Sequence, residues 1–219
     1  MESWTDSLLR AAQAMDPLEA VAVVCSILYL WLAGRESLWC WLFAAISVVL
    51  YMILLVEANL WAETGLQVYY LFMAGYGYYS WKTKRVQEAR LERSTKALSF
   101  PEDERPERPI TTLSLTQHVG LIALIGVLTV ATGFALQTYT SASLPFLDSF
   151  TTWGAVVTTW MVTRKYLENW LYWIVVDGVG IYLYASRELY LTSFLFAAYV
   201  VMVIVGYFHW RNLYRQQTA

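Results

Sequence analysis

Charge is scarce in this sequence. Only 15% of its 219 residues are Asp, Glu, Lys or Arg, where soluble domains carry about 25%. With 58% hydrophobic residues, an ordinary water-soluble globule is excluded. The basic residues do not outnumber the acidic ones, and the net charge is −2. No basic face is available for phosphates, so a nucleic-acid partner is excluded. Cysteine is nearly absent. Cys25 and Cys40 fall in different expected spans at different depths, which gives neither a disulfide framework nor metal-ligand spacing. The two histidines, His118 and His209, both fall near span ends. No Ser or Cys nucleophile is paired with either, which argues against an intramembrane hydrolase. A Gly-x-x-x-x-Gly-Lys phosphate loop is missing, and with it a built-in ATPase. No cofactor is expected. Residues 1–16 hold Glu2, Asp6, Arg10 and Asp16 and lack the basic start and cleavage site of a signal peptide. They read as a short amphipathic lead-in.

What is present is apolar length. A membrane-spanning helix needs about 20 mostly apolar residues. Seven segments meet or approach this, at 17–34, 37–56, 61–81, 114–136, 147–163, 168–186 and 189–210. The tail Gln137–Pro145 reads as a loop, because Ser, Thr and Pro cluster there. Eleven Trp and sixteen Tyr suit two interfacial aromatic belts. Seven spans place all of the 15 basic residues except Arg10 and Arg187 on one side. The positive-inside rule then predicts an external N-terminus and a cytoplasmic C-terminus. The linker after the third span carries most of these charges. Its patch Pro101–Pro109 (PEDERPERP) is expected to be extended.

The two ends of the chain resemble each other. Glu36-x-x-x-x-Trp41 opens span two, and Glu168-x-x-x-x-Trp173 opens span six. Gly77-Tyr78-Tyr79-Ser80-Trp81-Lys82 closes span three, and Gly206-Tyr207-Phe208-His209-Trp210-Arg211 closes span seven. The two matches lie at nearly the same separation along the chain. The predicted fold is an all-α integral membrane protein of seven transmembrane helices in a 3+1+3 parallel repeat, an arrangement found among transporters. Its parts are a lead-in (1–16), a first three-helix repeat (17–82), a basic cytoplasmic linker (83–112), a connecting helix (113–136), a second repeat (147–210) and a cytoplasmic tail (211–219). The substrate site is expected near the midplane between the repeats.

Asp177 is the one charge in Asn169–Ser186 (NWLYWIVVDGVGIYLYAS). A carboxylate at the bilayer centre costs roughly 2.5–3.5 kcal/mol on insertion scales, so it normally faces a bundle interior or a watery cavity. Asn169, Trp173 and Asp177 are spaced i, i+4, i+8 and share a helical face. Gln67 and Tyr70 on span three, Trp41 on span two, Asp148 and Thr152 on span five, and Trp170 complete a candidate cavity of aromatic faces and hydrogen-bonding groups. Such a cavity suits a flat, cationic ring joined to a polar part. Structural readings stand beside these. The Trp residues also suit a membrane belt, Asn169 a helix cap, and Gln67 or Asp177 a bond between helices worth about 0.6 kcal/mol. Under the offset that pairs Trp41 with Trp173, the counterpart of Asp177 is Ala45, so the repeated unit does not itself require a carboxylate. His118 reads as a capping or interfacial residue.

Arg164–Trp173 (RKYLENWLYW) running into Ile174-Val175-Val176-Asp177 resembles the PnuC family of bacterial vitamin transporters. So do Gln67-Val68-Tyr69-Tyr70, the Gly-Tyr-x-x-Trp ends of spans three and seven, and Asp148-Ser149. The resemblance runs from about residue 18 to 212. It departs from the family at Trp153-Gly154 and Gly178–Gly180, positions that bear on which vitamin is carried. The resemblance implies a duplicated, full-length SWEET-like fold and a homotrimer in the inner membrane. It further implies facilitated diffusion of nicotinamide riboside, with trapping by cytoplasmic phosphorylation. It assigns substrate contacts to Gln67, Tyr70, Asn169, Trp173 and Asp177, and further to Trp41, Asp148, Thr152 and Trp170. Relatives carry thiamine or riboflavin, so a thiamine or other vitamin carrier is the nearest alternative. A non-transporting membrane receptor or scaffold, with Asp177 as packing glue, is the alternative of another class.

Overall fold

A computed structural model of the chain describes residues 16–57, 61–96, 110–140, 142–187 and 189–218, with side chains described except at 61–62 and 83–96. These residues form α1 (Pro17–Gly34), α2 (Trp39–Glu57), α3 (Trp61–Lys96), α4 (Leu115–Tyr139), α5 (Pro145–Arg164), α6 (Asn169–Ser186) and α7 (Tyr190–Thr218). Local chemistry fixes several starts. The Asp16 carboxylate accepts from Leu18 N at 2.7 Å with Pro17 in the first turn. Ser114 and Gln117 form a reciprocal capping box at α4. Pro145 occupies the first turn of α5.

Six of the helices close a ring. In contact order it runs α1, α2, α3, α5, α6, α7 and back to α1, while α4 packs mainly on α5 and touches α6 through His118 and Tyr172, 2.9 Å apart. By length and composition, α1, α2, α4 and α7 are apolar enough to cross a membrane. The remaining three, α3, α5 and α6, are rich in Tyr, Trp and Thr and hold Glu63, Asp148 and Asp177. They are neighbours in the ring, so its polar content is gathered on one arc. Apolar side chains point outward around the bundle, with Phe72 of α3 74% and Val127 of α4 67% exposed. In a bilayer such surface meets lipid.

The helices outrun some expected bounds. α3 does not stop at residue 81 but continues through the first part of the basic linker to Lys96. At about 1.5 Å per residue its 36 residues measure about 54 Å, well beyond a hydrocarbon core of about 30 Å. α7 continues through the expected tail to Thr218, and α4 takes in Gln137–Tyr139. Pro101–Pro109 lies outside the described residues. The last residues before α4 are built into the fold. Ile110 is buried, Thr111 N donates to Lys165 O, and Leu167 N donates to Thr111 O.

Tryptophan packs on glycine twice, in the same way. The Trp41 ring covers Gly77 so closely that a Cβ there would sit 2.3 Å from it, and the Trp170 ring covers Gly206 with 2.7 Å for the same test. Trp41 meets Trp81 edge-on at 5.2 Å and 82°, and Trp170 meets Trp210 at 5.3 Å and 87°. One constant offset carries Trp41 to Trp170, Gly77 to Gly206 and Trp81 to Trp210. This corrects the register expected for α2 and α6. The match to Trp41 is Trp170, not Trp173, and the position matching Asp177 is Val48, not Ala45.

Candidate functional site

α6 sets the site because its polar residues recur on one face. Asn169 is fully buried, Asp177 is 4% exposed, and Trp173 packs half-buried against the cluster of Trp41, Trp81, Trp170 and Trp210. Leu171, Val175 and Tyr182 point outward. Asn169 does not cap α6. It is the first helical residue, and its Nδ2 donates to Tyr166 O at 2.6 Å, while its Oδ1 is buried without a hydrogen bond.

Asp177 makes no hydrogen bond or ion pair with any described residue. Two tyrosines are within its electrostatic reach, Tyr70 of α3 and Tyr199 of α7. Tyr70 in turn interacts with Tyr69 and Tyr184. Tyr199 lies close to Ser26, whose hydroxyl is 2.6 Å from that of Ser47. Both hydroxyls also lie 3.0 Å from Ala22 O, so one serine donates to that carbonyl and the other to its neighbour. Hydroxyls from α3 and α7, those of Tyr70 and Tyr199, thus lie within electrostatic range of the α6 carboxylate. Such a place holds a cation by charge and orients a polar substituent by hydroxyl bonds.

The expected site residues separate into levels along the ring. Tyr70 and Asp177 lie along the middle of their spans, and Trp173 one turn nearer the aromatic cluster against which it packs. Gln67 is one turn from Tyr70 on α3 and half-buried. Thr152 of α5 is half-buried without a hydrogen bond to a described residue. Trp41 and Trp170 belong to the aromatic cluster at the end of the ring that faces the linker. Asp148, at the other end, accepts from Arg187 Nη2 at 2.6 Å. Tyr184 is within electrostatic range of Asp148, Arg187 and Tyr70. A groove of about 400 Å³ lies along the opposite face of α3, lined by Val68, Leu71, Phe72, Gly75 and Tyr76, and is not part of this site.

Tyr184, Tyr199, Ser26, Ser47 and Arg187 were not expected. Among sixteen tyrosines, the sequence pattern does not separate a belt Tyr from one facing the interior. Ser26 and Ser47 are single hydroxyls in long apolar runs. Arg187, one of only two basic residues on its side, was the available signal.

A family profile described as "Nicotinamide mononucleotide transporter" matches residues 16–212. The nicotinamide riboside transporter PnuC of Escherichia coli K12 is 26% identical over 209 residues, 91% of this chain and 87% of that protein. The riboflavin/roseoflavin transporter RibM of Streptomyces davaonensis is 25% identical over 194 residues, 88% of this chain and 83% of its own length. The crystal structure of the vitamin B3 transporter PnuC superposes with a TM-score of 0.68 at 25% identity, covering 91% of this chain and 83% of that one. The chain therefore belongs to the nicotinamide mononucleotide transporter family of membrane proteins.

Proposed function

We propose that this protein carries nicotinamide riboside across the bacterial inner membrane by facilitated diffusion. The observation that carries this reading is Asp177, a carboxylate buried inside a ring of helices with no cation among the described residues to face it. The pyridinium of nicotinamide riboside supplies that charge. Tyr70 and Trp173 offer aromatic faces, and Gln67, Asn169 and the hydroxyls of Tyr199 and Ser26 suit an amide and a ribose. Thr152, Asp148, Trp41 and Trp170 lie farther along the path, where substrate passes rather than rests. The family profile and the Escherichia coli relative support the same substrate.

The contacts that recur at one constant offset support a 3+1+3 parallel repeat of SWEET-like kind, with α1–α3 and α5–α7 as the units and α4 as connector. The units rock about Asp177 to give alternating access. The one-sided distribution of basic residues supports an external N-terminus and a cytoplasmic C-terminus. A homotrimer, and trapping of the vitamin by cytoplasmic phosphorylation, complete the reading. The test is a binding titration of the purified protein, followed by its tryptophan fluorescence, against nicotinamide riboside, thiamine and riboflavin. Saturable binding of nicotinamide riboside ahead of the others is expected; no binding of it refutes the proposal. Riboflavin is the second reading, supported by similarity to RibM. Its uncharged ring leaves Asp177 without a counter-charge.

A further inference from the structure

We propose that Glu36 and Lys165 form the latch by which the two three-helix units close the transport path on the linker side. The pair parts whenever that side opens. Glu36 lies in the turn after α1 and Lys165 in the turn after α5. Their positions differ by the same offset that relates Trp41 to Trp170 and Trp81 to Trp210. They are the only non-glycine residues with positive φ among the described residues, at 56° and 57°. They also touch each other, the Lys165 ammonium donating to Glu36 Oε2. Two matching points on related units meet only beside the axis that relates them. In a closed ring of helices that axis runs down the centre, which is where a transport path runs. Trp81 and Trp210, a second matched pair, meet at 6.2 Å in the same region.

The latch is dry. The Lys165 and Glu36 side chains are 3% and 5% exposed, and Lys165 Nζ lies 4.7 Å from the centre of the Trp81 ring. At the other end, the Arg187 and Asp148 side chains are 32% and 25% exposed. One end is sealed and the other half-wetted, as in a carrier closed on its linker side. An ion pair suits a latch better than an apolar plug. It holds strongly while water is excluded, yet once the units begin to part water solvates each charge separately. The turn carrying Lys165 is itself held by the segment entering from the linker. Thr111 bonds its backbone on both sides, Ile110 N donates to Gln217 Oε1 at 2.9 Å, and Leu113 N donates to Glu168 Oε1 at 3.1 Å.

The latch rests on the transport reading for its purpose, but its closure is measurable without any vitamin. Cys40 is fully buried in the cluster that contains Trp81, so its reaction with a water-soluble maleimide reports opening at this end. The experiment uses the full chain carrying Cys25→Ser, in detergent, with melting curves to confirm folding. Glu36→Gln should raise the labelling rate of Cys40 by about tenfold or more, the size of a modest shift toward an open state. The double exchange Glu36→Lys with Lys165→Glu should return it toward the wild-type rate. Asp148→Asn, which weakens only the other end, should leave Cys40 slow. If Glu36→Gln does not fold, Glu36→Asp, which keeps the charge one methylene short of its partner, takes its place. Unchanged labelling in the folded single variant, failure of the exchange to restore it, or equal labelling in Asp148→Asn overturns the latch. None of these results bears on which vitamin binds.

Discussion

Asp177 and the tryptophan–glycine contacts represent two kinds of buried residue. Asp177 is costly to the fold and unpaired among the described residues, so its removal should harm binding more than stability. Asp177→Asn keeps the shape and removes the charge. It should weaken binding of a cationic vitamin by about tenfold or more, the effect of losing roughly 1.4 kcal/mol, with the melting temperature held or raised. Titration and melting of the same preparation check both halves. The glycines behave oppositely. A Cβ at Gly77 or Gly206 meets an indole at 2.3 or 2.7 Å, so Gly77→Ala and Gly206→Ala should each destabilise by about 1–3 kcal/mol through overpacking. Gly75 has nothing within 4 Å. Gly75→Ala should be neutral, or stabilising by up to about 1 kcal/mol from helix propensity. Thermal melts of the three variants separate these cases.

At the scale of the element, α4 stands apart. Its main described helix partner is α5, against which Gly133 receives the Phe146 ring and Thr132 accepts from Trp153 Nε1 at 3.1 Å. Gly133→Val should loosen α4, read as faster amide exchange in α4 with little change in α1–α3. Thr132→Val removes one bond between helices and should cost only about 0.6 kcal/mol. The seven described helices were legible, four of them as long apolar runs and the other three as weakly charged stretches between them. Their extensions were not. The register between α2 and α6 was also hidden, since Trp170 and Trp173 both follow Glu168 closely and only Gly206, brought across by folding, selects Trp170. Asp177 was legible as a lone charge. Its neighbours Tyr70 and Tyr199 come from α3 and α7, and no spacing within α6 reveals them. Glu36 and Lys165 differ in charge and side chain, so nothing in their chemistry marks them as equivalent positions.

For the whole molecule, the ring closes through α1 against α7 and α3 against α5. The second seam carries bonds from Tyr69 OH to Val156 O at 2.9 Å and from Ser80 Oγ to Thr163 O at 3.3 Å. Neither seam depends on chain continuity between α3 and α4. Two fragments, 1–100 and 101–219, expressed together should therefore assemble and copurify with wild-type ligand binding; failure to associate would show that the connection itself is structural.

The length of α3 has one more consequence. Both α3 and α7 run toward the end where the latch lies, and both continue past the depth of a bilayer. Viewed edge-on, the described residues are lopsided, with two rods standing on one face. That silhouette is a built-in compass. An image of single particles in lipid discs, without any tag or antibody, reports which way each molecule is inserted.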